Sequence, residues 1–129
     1  MKWRWWRTAD EMAADFAADR TLETDEQFIA ACDLPDNAEA VRIAMAVRRS
    51  VASYGMIDPK FIRAIDGYPD ELVELSGWDS IGFLAWIFEL ERELEMPVSS
   101  DAFRDIRQPF TVKELVLAVH KFVQAEAAQ

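Results

Sequence analysis

The chain has 129 residues, with 14 basic and 24 acidic side chains and a formal net charge of −10 at pH 7. Its 51% hydrophobic content suffices for one packed core and is too high for a disordered tail. The negative field repels phosphate backbones and argues against a nucleic-acid partner. A single cysteine, Cys32, excludes an internal disulfide framework and a multi-cysteine zinc site, and a single histidine, His120, argues against a His-rich metal site or a His-dependent triad.

The opening Met1-Lys2-Trp3-Arg4-Trp5-Trp6-Arg7 is basic and aromatic, but Asp10, Glu11 and Asp15 follow at once. No apolar stretch of a signal peptide stands behind it. No run approaches the roughly 18 apolar residues of a membrane span, so a cytoplasmic protein is expected. The three tryptophans read either as an anchor on an anionic membrane surface or as an internal clamp, indoles on apolar surface and cations toward the acidic body. The overall negative charge favours the clamp.

Thr8 to Arg20 suits a helix, with Met12 and Phe16 four apart, and residues 24–31 suit a second, shorter one. Asp33-Leu34-Pro35-Asp36-Asn37 breaks the chain. Residues 1–36 thus read as an N-terminal extension, 37–126 as the body and 127–129 as a tail. A helix is predicted over 37–54, with Asp36 as cap, Glu39 completing a capping box, Ile43, Val47, Val51 and Tyr54 on one stripe, and Gly55 as the stop. In the long connection over 56–79, Asp58-Pro59 starts a short turn of helix and Asp66-Gly67-Tyr68-Pro69 reads as a turn. Residues 69–75 can form another short helix.

A broadly apolar helix is predicted over 80–95. Leu84, Ile87, Glu91 and Leu94 form its stripe, widened by Phe83, Trp86 and Leu90, and its end carries Glu89, Glu91, Glu93 and Glu95. Ser99-Ser100-Asp101 begins a short helix containing Phe103. After Gln108-Pro109, Thr111 with Glu114 caps the last helix, striped by Val112, Leu115, Val116, Val119, Phe122 and Val123. No alternating run demands a strand, so the fold class is all-α. Val47, Val51, Leu84, Ile87, Leu90, Val116, Val119 and Val123 are expected in the core. The extension is expected to cover part of helix 80–95, including Phe83 or Phe88.

Charge is uneven: residues 1–40 carry net −6, residues 41–65 net +4 and residues 66–110 net −8. The last block is where a basic protein partner would dock, in a salt-sensitive way.

Gly77-Trp78-Asp79-Ser80-Ile81 stands at the start of helix 80–95, behind the long connection, and Glu89-Leu90-Glu91-Arg92-Glu93-Leu94 ends that helix. A short helix and Thr111-Val112-Lys113-Glu114-Leu115 follow. Over residues 38–125 this order resembles the acyl carrier proteins and the related peptidyl carrier domains, whose hallmark is Asp-Ser-Leu at the start of their second helix in a Gly-x-Asp-Ser context. The resemblance implies a four-helix acyl-carrier-like bundle with a helical N-terminal extension. It implies that Ser80 receives 4'-phosphopantetheine from coenzyme A, that Gly77, Asp79 and Ile81 form the motif around it, and that Asp79 helps to place magnesium during the transfer. The chain would then catalyse nothing itself. It would hold acyl or aminoacyl groups as thioesters, as in fatty acid or polyketide biosynthesis.

Its implied partners are a phosphopantetheinyl transferase and acyl-transferring or acyl-activating enzymes with basic surfaces, met by Phe88, Glu89 and Glu91. The chain departs from the family at Gly82 and Ala85, where acidic groups usually stand. The chemistry suits the place, because a phosphodiester needs a hydroxyl and a helix N-terminus favours an anion. Two other readings stay open: Ser80 as a plain N-cap, and a carrier fold without the arm that works as a protein–protein interaction module. An enzyme could draw paired carboxylates from Glu74, Asp79 and Glu89, but no phosphate loop or nucleophile–base pair accompanies them.

Overall fold

A computed structural model describes residues 8–18, 20–76 and 80–128, with the backbone alone at 9, 10, 76, 80 and 81. Among these residues the chain is all-α apart from one pair of two-residue strands. The helices are α1 (Ala9–Ala17), α2 (Asp25–Ala31), α3 (Ala38–Tyr54), α4 (Asp70–Ser76), α5 (Ser80–Leu94) and α6 (Val112–Ala127). Single 3-10 turns lie at Pro59–Phe61 and Ser100–Phe103.

Side-chain caps explain most of the helix starts. Thr111 and Glu114 form the expected capping box on α6, and Thr24 with Gln27 forms a second on α2. Asp58 and Ser99 open the two 3-10 turns. On α3 the cap is Asn37 rather than Asp36: Asn37 has the extended backbone, and its Oδ1 accepts the Ala40 N–H at 2.8 Å. Gly55 closes α3, yet the left-handed residue is its neighbour Met56, at φ 57°. The Ile57 N–H reaches back to the Ala52 carbonyl and the Met56 N–H to that of Ser53. Glycine is required at 55 for a different reason, because a Cβ there would stand 2.4 Å from Leu75 Cδ2. Its bare α-carbon gives α4 room to pack.

The segment read as a turn at 66–69 is in part a strand. Gly67–Tyr68 (β1) pairs antiparallel with Phe110–Thr111 (β2), Gly67 opposite Thr111 and Tyr68 opposite Phe110. Two residues are too few to leave an alternation in the sequence. The stitching continues into α6, where the Val112 N–H donates to the Asp66 carbonyl (2.8 Å) and the Lys113 N–H to that of Ala64 (2.9 Å). Two N–H groups that a helix start leaves orphaned are thereby satisfied. The Tyr68 and Phe110 rings stack over the pair at 5.3 Å.

The core forms around α3, which packs on α5, α6 and α2. Val47, Val51, Ile87, Leu90, Val116, Val119 and Val123 are buried as expected. Leu84 is the exception, 54% exposed. The buried face of α5 is instead that of Trp86, Ile87, Leu90 and Leu94, with Phe83 half-buried beside it. Trp86 is fully buried; its Nε1–H donates to Ser50 Oγ and that hydroxyl to the Val47 carbonyl, each at 2.8 Å. Burying an aromatic side chain of this size contributes about 4–6 kcal/mol. Phe83, Trp86 and Phe103 then close on one another at 5.3–5.5 Å between ring centroids.

The N-terminal third enters this core directly. Phe16, Phe28 and Cys32 belong to the same buried cluster, and α1 packs on α4, not on α5. Phe83 packs against Phe103 and Trp86, and Phe88 stands 71% exposed. Trp3, Trp5 and Trp6, the proposed clamp, lie outside the described residues.

A polar fastening ties the first third to the connection after α3. Arg48 is buried, with its Nε–H donating to the Ile62 carbonyl (3.0 Å), Nη1 to Asp25 (2.8 Å) and Nη2 to the carbonyls of Glu23 (2.6 Å) and Lys60 (3.3 Å). Its guanidinium lies 4.8 Å from the Phe28 ring centroid. Glu23 returns the contact by accepting the Ala64 N–H at 3.1 Å.

Candidate functional site

The element that carries the site is α5, and its geometry starts from its partner α3. Ser50 meets Trp86, Ser53 donates to Glu89 at 3.1 Å, and Arg49 donates to Glu93 at 2.6 Å. These contacts set the last two turns of α3 against the middle and end of α5. Ser80 is the first residue of α5, one place inside the cap position that the plain N-cap reading assigns to it. Gly77 and Asp79 lie outside the described residues, and of Ser80 and Ile81 only the backbone is described. A 15-residue helix opening at Ser80 presents the positive end of its dipole there.

Away from the core, α5 carries Leu84 and Phe88, 54% and 71% exposed. They follow Ser80 at four and eight residues, so the three positions share one side of the helix. Exposed leucines occur singly on any protein; a leucine and a phenylalanine one turn apart on a helix already buried on another side form a small apolar stripe. Gly82, one of the two departures from the carrier pattern, is buried, and Ala85 is half-buried. An acidic side chain at 82 would be turned toward the interior here.

The acidic end of the helix is largely engaged within the chain. Glu89 pairs with Arg92 and accepts from Ser53, Glu93 pairs with Arg49, and Glu91 Oε2 accepts the Val98 N–H at 2.8 Å. Glu91 in this way holds the chain that leaves α5. Glu95 is exposed at φ 56°, where the helix turns off. Of the three residues assigned to partner contact, Phe88 is the one with most of its surface open, while Glu89 and Glu91 also fasten α5 to its surroundings.

Other candidates resolve as structure. Cys32 is buried, and burial with the nearby Glu23 pushes its thiol up to about 11, so it stays a neutral packing group near pH 7. His120 lies half-buried on α6. Among the described residues no three metal-ligating side chains come together, and no helix is long and apolar enough to cross a membrane.

Sequence reasoning missed the fully buried Asp66. Its carboxylate takes Arg20 Nη2 and the Arg63 backbone N–H, the latter at 2.7 Å. It missed Arg48 too, although a signal was present: with Ala44, Val47 and Val51, Arg48 completes an i, i+3, i+4, i+7 face, and a cation on an apolar stripe needs internal partners. Comparison with protein-family models, curated proteins and solved structures finds no match for the chain.

Proposed function

We propose that the chain is a carrier protein of the acyl carrier type, with α3, α5, the 100–103 turn and α6 as its four-helix body and Ser80 as the attachment point of a 4'-phosphopantetheine arm. The observation that carries this reading is the outer side of α5. The helix opens at a serine and then exposes Leu84 and Phe88 on the following two turns, while its inner side is committed to Trp86, Ile87 and Leu90. The serine supplies the hydroxyl for the phosphodiester, and the helix N-terminus stabilises the phosphate. The stripe beside it gives an enzyme an apolar contact that places the arm's root. In this reading the chain performs no chemistry of its own. It works in the cytoplasm and presents acyl or aminoacyl thioesters to enzymes whose basic surfaces meet its acidic face.

The test is intact mass with peptide mapping after incubation with coenzyme A, magnesium and a broad-specificity phosphopantetheinyl transferase. The wild type is expected to gain one phosphopantetheinyl group on the peptide containing Ser80. Ser80→Ala is expected to gain none while staying folded, since the loss at a helix's first turn is at most about 0.5–2 kcal/mol. A wild type left unmodified by several such transferases would replace the carrier reading with that of an armless interaction module using the same Leu84–Phe88 stripe.

A further inference from the structure

Opposite its buried stripe, α6 carries Glu114, Leu117, Ala118 and Lys121 at i, i+3, i+4 and i+7, which is one face of a helix. With Ala102, Asp105 and Ile106 from the chain after α5, these residues line an open groove of about 270 Å³. Leu117 is 38% exposed, and Ile106 and Ala118 are half-buried. The charged side chains at the groove are exposed and hold little within the chain. Glu114 Oε1 caps α6 by accepting the Thr111 N–H at 3.2 Å, which leaves Oε2. The ion pair that ties α6 to the first third uses Lys113, not Lys121. Among the described residues no side-chain hydrogen bond or ion pair engages Lys121 or Asp105.

This face is its own complement. Glu114 and Lys121 stand equally far along the helix from the point midway between Leu117 and Ala118. A two-fold axis through that point brings a second α6 alongside, antiparallel. Glu114 of each copy then meets Lys121 of the other, and Leu117 of each meets Ala118 of the other. The small alanine opposite each leucine lets the two helices approach, and the exposed Ala125 continues the seam one turn on. A uniformly basic partner would be repelled by Lys121, and a uniformly acidic one by Glu114 and Asp105. We propose that a second copy of this chain docks here, as an antiparallel α6 pair. The contact is one helix face with one short segment, below the roughly 1,000 Å² of a stable interface, and each copy carries a net charge of −10. The pair is therefore weak, with an expected Kd of about 0.1–1 mM at physiological salt. The proposal uses no part of α5 and stands independently of the carrier reading.

The test is sedimentation equilibrium of the full chain from about 10 μM to about 2 mM, at a salt concentration that screens the repulsion between copies within about 8 Å. The wild type is expected to pass from monomer to dimer, with no larger species, because a two-fold contact closes on itself. Lys121→Glu sets like charges against each other twice and is expected to weaken the dimer at least about tenfold, as is Glu114→Lys, whereas the charge-keeping Lys121→Arg is expected to pair like the wild type. An equimolar mixture of Lys121→Glu and Glu114→Lys chains restores both opposite-charge contacts and is expected to form the mixed dimer that neither forms alone. If Glu114→Lys fails to fold for want of its cap, Leu117→Glu takes its place among the weakened variants, and the comparison of Lys121→Glu with Lys121→Arg decides. A wild type that stays monomeric to about 2 mM, a dimer undiminished in Lys121→Glu, or two folded charge variants that do not pair with each other would overturn the proposal.

Discussion

Replacing Arg48 by methionine separates two accounts of how the first third is held. Arg48 makes an ion pair with Asp25 and donates to three backbone carbonyls. The Asp25 carboxylate is 66% exposed and regains water when the arginine leaves, so the pair itself is worth about 0–1 kcal/mol. The carbonyls are not alike. That of Lys60 keeps the Glu23 N–H, but those of Ile62 and Glu23 lose the donor the structure gives them. The buried Ile62 acceptor left open costs about 1–3 kcal/mol, the part-buried Glu23 carbonyl toward the low end of that range, and the lost contact with Phe28 adds about 0.5–1. The apolar methionine offsets part of this by ending the arginine's desolvation. The expected loss for Arg48→Met is therefore about 3–5 kcal/mol in urea melts, against about 1 kcal/mol or less for Asp25→Asn. Equal losses for the two variants would show that the charge pair dominates and would refute the argument from the carbonyls.

Three further outcomes follow from particular residues. Phe88→Ser should leave stability within about 0.5 kcal/mol, because the ring is already in water. On the carrier reading it should slow acyl loading by a partner enzyme at least about tenfold, measured by mass spectrometry of the loaded arm. Met56→Gly should stabilise the fold by about 1 kcal/mol in denaturant melts, since the left-handed backbone costs a side-chain-bearing residue about 1–2 kcal/mol, partly offset by glycine's unfolded-state entropy. Cys32 titrates near 11 when folded and near 9 when unfolded. Between these values the native state holds the extra proton, so stability falls as pH rises from about 9 to 11, by up to about 2–3 kcal/mol. Melts of wild type and Cys32→Ala across that range should converge as pH rises, and parallel curves would count against this origin.

Periodicity and caps made the long helices legible. α3 and α6 each show one stripe with polar residues between, so the sequence determines which side turns inward. In α5 apolar residues occupy three sides, and periodicity alone cannot choose among them. α3 and the Phe103 turn make the choice by seating Trp86 and Phe83, which leaves Leu84 outside. The carboxylates of α5 were misleading in a related way. From sequence they form a run of like charge, but Arg49, Ser53 and the Val98 N–H that engage them come from elsewhere in the fold. Asp66 and the β1–β2 pair have no local pattern at all, since both depend on contacts with segments distant in sequence. Ser80 is proposed from its neighbours in the chain alone, and the exposed Leu84, which the expected core had placed inside, stands with Phe88 on the same side of α5.

The β1–β2 pair also has a topological effect. Tyr68 and Phe110 face each other across it, so residues 69–109, which include all of α5, form a lobe whose two ends are fastened at one place. Neither end can drift independently while the pair holds. A change in α5 on meeting another protein must therefore be accommodated inside a closed contour, by shifts among α4, α5 and the Phe103 turn, with α6 as a fixed border. Severing the exposed chain near Arg104 to Arg107 would open that contour covalently but not physically. Phe103 on one side of the cut is buried in the core, and Phe110 on the other is held by Tyr68, so the two pieces would remain associated as one folded particle.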